Sequence, residues 1–199
     1  MIQVTNLTDM EINKIGLTYA NYVYPDHDKG MFPFEEKERL VKYINGFAKA
    51  CMQAGMLYTT SEKHEGYIAL STPDTKYPAK AAITLIKGMF GALGFGGVVK
   101  FMKFISKGGE SLENKMKKEK RKFVMIELLA VTEEYQNQGH MRTLMDFAFE
   151  TADQYGLPCI VETDEGVKRD KYCHLGVHQV LTRNFGDNRY SYGMIREVE

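Results

Sequence analysis

The sequence predicts an α/β domain of the α+β type, and three observations carry that prediction. An apolar run at 123–131 turns through a single glycine, Gly139, into a long amphipathic helix. Two further strand pairs, 56–60 with 67–71 and 179–185 with 189–196, are each closed by a short polar turn. Helical patterns lie between these strands. A chain of 199 residues, 44% of them hydrophobic, can bury a full core and reads as one domain over 1–199.

In order, residues 2–7 alternate apolar and polar as a half-buried first strand would. Thr8 or Asp9 can cap a helix running through Ile12, Ile15 and Tyr19. The segment 22–34 is a loop rich in aromatics, suited either to plugging the core edge or to lining a substrate. Across 35–54, Leu40, Ile44, Phe47 and Cys51 share a helical face. The hairpin turns around Glu62-Lys63-His64-Glu65-Gly66. Residues 79–107 are strongly apolar but interrupted by glycines. They read as two helical pieces with a glycine-rich joint, a wall or lid over the cleft. The stretch from Lys87 to Lys100 is shorter than the ~20 residues a spanning helix needs. A membrane-surface role is the less favoured alternative for it. The basic run 115–122 reads as the solvated face of a helix rather than a patch for an acidic partner.

After the strand at 123–131, Met141, Leu144, Met145, Ala148, Phe149 and Ala152 recur at helical spacing. Gly156 ends that helix and Pro158 prevents its return. Residues 159–163 form a short apolar strand, and a polar helix follows over about 165–175, ending at Gly176. A strand that turns through glycine into a helix leaves several backbone N–H groups without intrahelical partners. Those donors and the helix dipole make an anion site, and Gly139 lets a phosphate approach the backbone. A P-loop string is absent, and one glycine does not make a dinucleotide fingerprint.

Lys+Arg and Asp+Glu both number 26, so net charge gives no reason to expect a nucleic-acid partner. Cys51, Cys159 and Cys173 lack metal or redox spacing and read as reduced thiols of a cytoplasmic protein. The first residues do not have the pattern of a signal peptide. His174 and His178 stand four apart, but Gly176 lies between them and no third ligand is evident, so no metal is expected.

Gln136 and Gly139 fall on the first two fixed positions of the acyl-CoA loop Q/R-x-x-G-x-G/A, with Met141 in place of the last small residue. This segment resembles that loop of the GNAT superfamily of N-acyltransferases. Tyr172, Gly176 and Val177 are similar to the Y-x-x-x-G-F signature that closes the GNAT core. The stretches 126–131 and 156–163, with the Asp-containing aromatic loop near Pro25, resemble the puromycin N-acetyltransferase-like sub-group.

The resemblance implies a mixed, mostly antiparallel sheet flanked by helices, with two central strands splayed to admit acetyl-CoA. It implies acetyl transfer from acetyl-CoA to a primary amine of a small molecule or peptide, by direct attack. Residues 1–121 would supply the acceptor-side helices and 122–199 the acyl-CoA-binding half. Leu129, Ala130 and Val131 would line the thioester and pantetheine. Gln136, Asn137, Gln138, Gly139, His140, Met141, Arg142 and Thr143 would bind pantetheine and pyrophosphate, largely through the main chain. Glu165 stands where many members place Asn; it could accept from a pantetheine amide but not replace the Asn donor. Lys168 joins it as a cofactor-binding candidate.

The chemistry assigns roles. A primary amine with a pKa near ~10.4 is mostly charged at neutral pH, so its proton must be accepted. Glu127 is the candidate base, through water, with a purely structural carboxylate as the alternative. The resemblance implies that the thioester carbonyl lies near Leu129 or Ala130, where backbone N–H groups would meet the oxyanion. Tyr172 would protonate the departing thiolate, the alternative being a packed tyrosine with a wet hydroxyl. Two rivals remain: a CoA-binding regulatory domain of the same fold, and a membrane-peripheral protein. A homodimer and a monomer are both open.

Overall fold

The structure, a computed structural model, describes residues 1–22 and 36–198. The aromatic loop read at 22–34 therefore lies almost wholly outside the described residues. In chain order the elements are β1 (Ile2–Gln3), α1 (Asp9–Tyr22), α2 (Lys37–Gln53), β2 (Leu57–Thr59), β3 (Gly66–Ser71), α3 (Ala79–Lys107) and α4 (Leu112–Lys118). Then come β4 (Val124–Val131), α5 (His140–Tyr155), β5 (Cys159–Thr163), α6 (Gly166–His174), β6 (His178–Gly186) and β7 (Arg189–Arg196). The strands form one seven-stranded sheet in the order β1-β2-β3-β4-β5-β7-β6. Among the described residues only β4 and β5 pair in parallel, and every other pair is antiparallel. This is the mixed, mostly antiparallel, helix-flanked sheet that the sequence led us to expect.

Local chemistry sets the boundaries. Thr8 and Glu11 form a reciprocal capping box at the start of α1: the Glu11 amide donates to Thr8 Oγ1, and the Thr8 amide donates to Glu11 Oε2. The first strand is shorter than its alternation suggests. Its ladder covers Ile2 and Gln3, the Val4 amide adds one bond to the Leu57 carbonyl, and the chain then leaves the sheet. The β6–β7 hairpin closes through Asp187 and Asn188, both at positive φ (54° and 58°), as a two-residue type I′ turn requires.

The core divides around the sheet. On one face Ile15, Leu40, Ile44 and Cys51 of α1 and α2 meet Leu57, Leu128 and Ala130. On the other, Leu144, Met145, Ala148 and Ala152 of α5 cover Ile68, Val124, Ile126 and Val161. The α4 residues Leu112 and Met116 close a third cluster with Ile160 and Ile195. The basic run reads out as expected: Lys117 and Lys118 pair with Glu113 and Glu110 at the surface.

Helix α3 is two helical pieces, as the glycines suggest, and the joint is Gly94 (φ 64°, ψ 173°). Its placement differs from the sequence reading. It packs outside α2 rather than over the cleft, because Gly46 and Gly88 let the two backbones cross closely. A Cβ on Gly88 would come within 2.9 Å of Gly46 Cα.

Candidate functional site

The site begins with a failure of pairing. β4 and β5 are in register over Val124–Cys159, Met125–Ile160 and Ile126–Val161, and pair no further. On its other edge β4 continues along β3 to Val131. Across that edge Ala69 faces Leu128 while Leu70 faces Ile126, so Glu127 is the extra residue of a β-bulge. The bulge and the lost pairing coincide, and the central strands splay there.

The gap is a cavity of about 250 Å³. Glu127, Leu129, Ala130 and Val131 form one wall. Gln136, Asn137, Gly139, His140 and Met141 form the floor, and Lys168 and Tyr172 of α6 form the far side. Eleven of the residues singled out from the sequence thus meet around one space. Four do not line it. The Gln138 side chain turns away to donate to the Glu134 carbonyl. The Thr143 amide is already committed to the helix, donating to the Gly139 carbonyl. Arg142 faces a neighbouring shallow depression with Asp170 and His174. Glu165 is buried at the N-cap of α6, 3.7 Å from Lys168 Nζ, and does not offer its carboxylate to the cavity. Lys168 itself lies between Asp164 and Glu165 with the Tyr19 ring 4.9 Å away.

The floor has the geometry of an anion cradle. Gly139 is the N-cap of α5 with φ 88°, and no side chain caps the helix there. Asn137, two residues before, is also left-handed at φ 60°. The first helical bond is made by Thr143, so the amides ahead of it have no intrahelical acceptor. A Cβ at Gly139 would meet nothing within 4 Å; the glycine is required by its φ, and the space above it is open. Gln136 braces the loop by donating from Nε2 to the Val131 carbonyl. Met141 packs against the α5 core while bordering the cavity.

Two walls carry the titratable groups. Burial pushes the Glu127 carboxyl above its usual range, against the lowering effect of the Ser71 hydroxyl, which donates to Oε1 at 2.7 Å. Tyr172 is 7% exposed and packs in the α5 cluster while lining the cavity. Sequence reasoning missed Thr18, Tyr19, Tyr135, Glu162 and Lys171, which also line it. Glu162 accepts from the Leu112 amide and lies 3.5 Å from Arg183. Thr18 and Tyr19 of α1 and Glu162 of β5 are brought here by the topology, while Tyr135 and Lys171 adjoin Gln136 and Tyr172 without a pattern of their own. Among the described residues no group of three or more His, Cys, Asp or Glu is placed to hold a metal. His174 ends α6 and His178 begins β6, across the Gly176 turn.

This architecture, and part of the sequence, have counterparts among known proteins. Residues 91–174 match the model of the Acetyltransferase (GNAT) family. No curated protein matches the chain. Among solved structures, an N-acetyltransferase from Staphylococcus aureus is 13% identical, with a TM-score of 0.54 over 98% of this chain and 100% of that one. Arylalkylamine N-acetyltransferase 2 from Aedes aegypti is 10% identical, with a TM-score of 0.54 over 97% of each chain. The C-terminal condensation domain of Ebony, solved with beta-alanyl-dopamine, is 11% identical, with a TM-score of 0.58 over 96% of this chain and 94% of that one. At these identities the structures share the fold. The family match spans 84 of the 199 residues, under half of the chain, and the structures add the fold.

Proposed function

We propose that the protein transfers an acetyl group from acetyl-CoA to a primary amine of a small molecule or peptide, by direct attack. The observation that carries this reading is the gap between β4 and β5, which opens onto the uncapped N-terminus of α5 at Gly139. The residues present fit the cosubstrate. The amides after Gly139 suit a pyrophosphate, and the unpaired edge of β4 at Leu129, Ala130 and Val131 suits the amides of a pantetheine arm. The thioester supplies an activated acyl carbon.

The chain's own groups then divide the work. Glu127, with its carboxyl pKa raised by burial, takes the amine proton, through water where the amine does not reach it. The amides near Leu129 and Ala130 stabilise the oxyanion. Tyr172, on the opposite wall, gives its proton to the leaving sulfur; a phenol near ~10 suits a thiol near ~8.5. The sub-group we propose is the puromycin N-acetyltransferase-like one, on the stretches 126–131 and 156–163. A reducing cytoplasm suits the free thiols of Cys51, Cys159 and Cys173. CoA release measured with a panel of amines tests the activity: turnover with at least one amine is expected. Tight binding of acetyl-CoA with no turnover on any amine contradicts catalysis.

A further inference from the structure

Helix α3 presents an apolar face to solvent, and we infer that this face docks the protein on an anionic lipid surface. In the first half of the helix Ile83, Ile86 and Phe90 follow one another at i, i+3 and i+7. After Gly94, Phe95, Val99 and Met102 repeat the stripe at i, i+4 and i+7. Their exposures run from 39% at Phe90 to 76% at Phe95. The two stripes join across the break, because the Phe90 and Phe95 rings stack at 6.2 Å and 21°.

The opposite side of α3 is already occupied. Ala81, Ala92, Val98 and Phe101 are buried, Gly88 touches Gly46, and Thr84 donates to Gln53. The exposed stripe is therefore a second apolar face on a helix whose core face is satisfied. A contiguous exposed patch of this kind marks an interaction surface.

Charge selects the partner. Lys76, Lys80, Lys87, Lys100, Lys103 and Lys107 are all exposed, and no Asp or Glu occurs between Asp74 and Glu110. Among the described residues none of these lysines forms an ion pair. A chain with equal numbers of acidic and basic residues has thus gathered six positive charges beside its most exposed apolar stripe. Apolar side chains flanked by lysines are the pattern of a helix lying in a lipid headgroup layer. By length and composition α3 could cross a membrane, but one face is packed on α2 and Gly94 breaks it into pieces each shorter than ~20 residues, which favours contact at the surface. Pairing this face with a second copy would set lysines against lysines.

The test is flotation of the full chain with vesicles of phosphatidylcholine, alone or mixed with phosphatidylglycerol. Binding is expected on the mixed vesicles, weakening as salt is raised. Lys100→Glu with Lys103→Glu should lower partitioning at least about 25-fold, since each lysine near an anionic surface is worth about five-fold. Phe95→Ser should weaken it too. Both variants should keep the parent melting temperature and acetyl-CoA affinity, which shows that the fold is intact. No binding to mixed vesicles, or binding unchanged in both variants, overturns the inference. So does a concentration-dependent dimer that Phe95→Ser dissolves in a protein that ignores vesicles. Vesicle binding is read without turnover, so its failure is distinct from failure of the acetyltransferase reading.

Discussion

Helices α5 and α3 are both rich in apolar residues, yet they use them in opposite ways. In α5 Leu144, Met145, Ala148 and Ala152 are wholly buried against the sheet. The helix is amphipathic in the ordinary sense, and its N-terminus has no side-chain cap. In α3 the apolar residues run round the helix; one face meets α2 and the other meets solvent. Periodicity states which residues of a helix share a face. What that face touches is decided by the neighbours, and for α3 they were settled by a glycine crossing at Gly46 and Gly88.

The sharpest way to break this contrast is at the start of α5. Gly139→Asp places a charge over the cradle and forces an L-residue to φ 88°. Acetyl-CoA affinity should fall on the order of a thousand-fold in a titration, and unchanged affinity would remove the site. Next, Leu144→Ala in the middle of α5 should destabilise the fold by about 3 kcal/mol in urea unfolding. The matching change on α3, Ile86→Ala, should cost less than about 0.5 kcal/mol; equal losses would show that the two helices bury their faces alike. Tyr172→Phe should lower kcat roughly 100-fold with KM for acetyl-CoA nearly unchanged.

The smallest effect is a change of pH profile. With the Glu127 carboxyl raised above its usual range by burial, the base is protonated as pH falls through that raised value. The kcat/KM should therefore drop on the acid side, at higher pH than for an ordinary glutamate. Glu127→Gln should abolish that limb. The same raised value gives the stability sign: protonated Glu127 favours the folded state, and this contribution is lost as pH rises through it.

Much of the second half was legible because its signals are local. The strand, the positive-φ glycine, the amphipathic stripe and the Gly156 stop all lie within one stretch, so the cradle could be placed by residue. The bulge at Glu127 could not, since it exists only in the register between β3 and β4. Nor could Thr18 and Tyr19 of α1 and Glu162 of β5 be foreseen as cavity walls, since only the tertiary fold brings those elements to one space. Glu165 shows the converse. Its position in the sequence resembles a cofactor contact, but the turn into α6 buries its carboxylate beside Lys168. For α3 composition named the joint and not the neighbour.

The central claim is that the amides following Gly139 hold the diphosphate of acetyl-CoA. Amide hydrogen exchange with and without acetyl-CoA tests it most directly. Slowed exchange at His140, Met141 and Arg142, together with the β4 edge from Leu129 to Val131, is the predicted result. Saturating acetyl-CoA that leaves those amides exchanging at their free rates would contradict it.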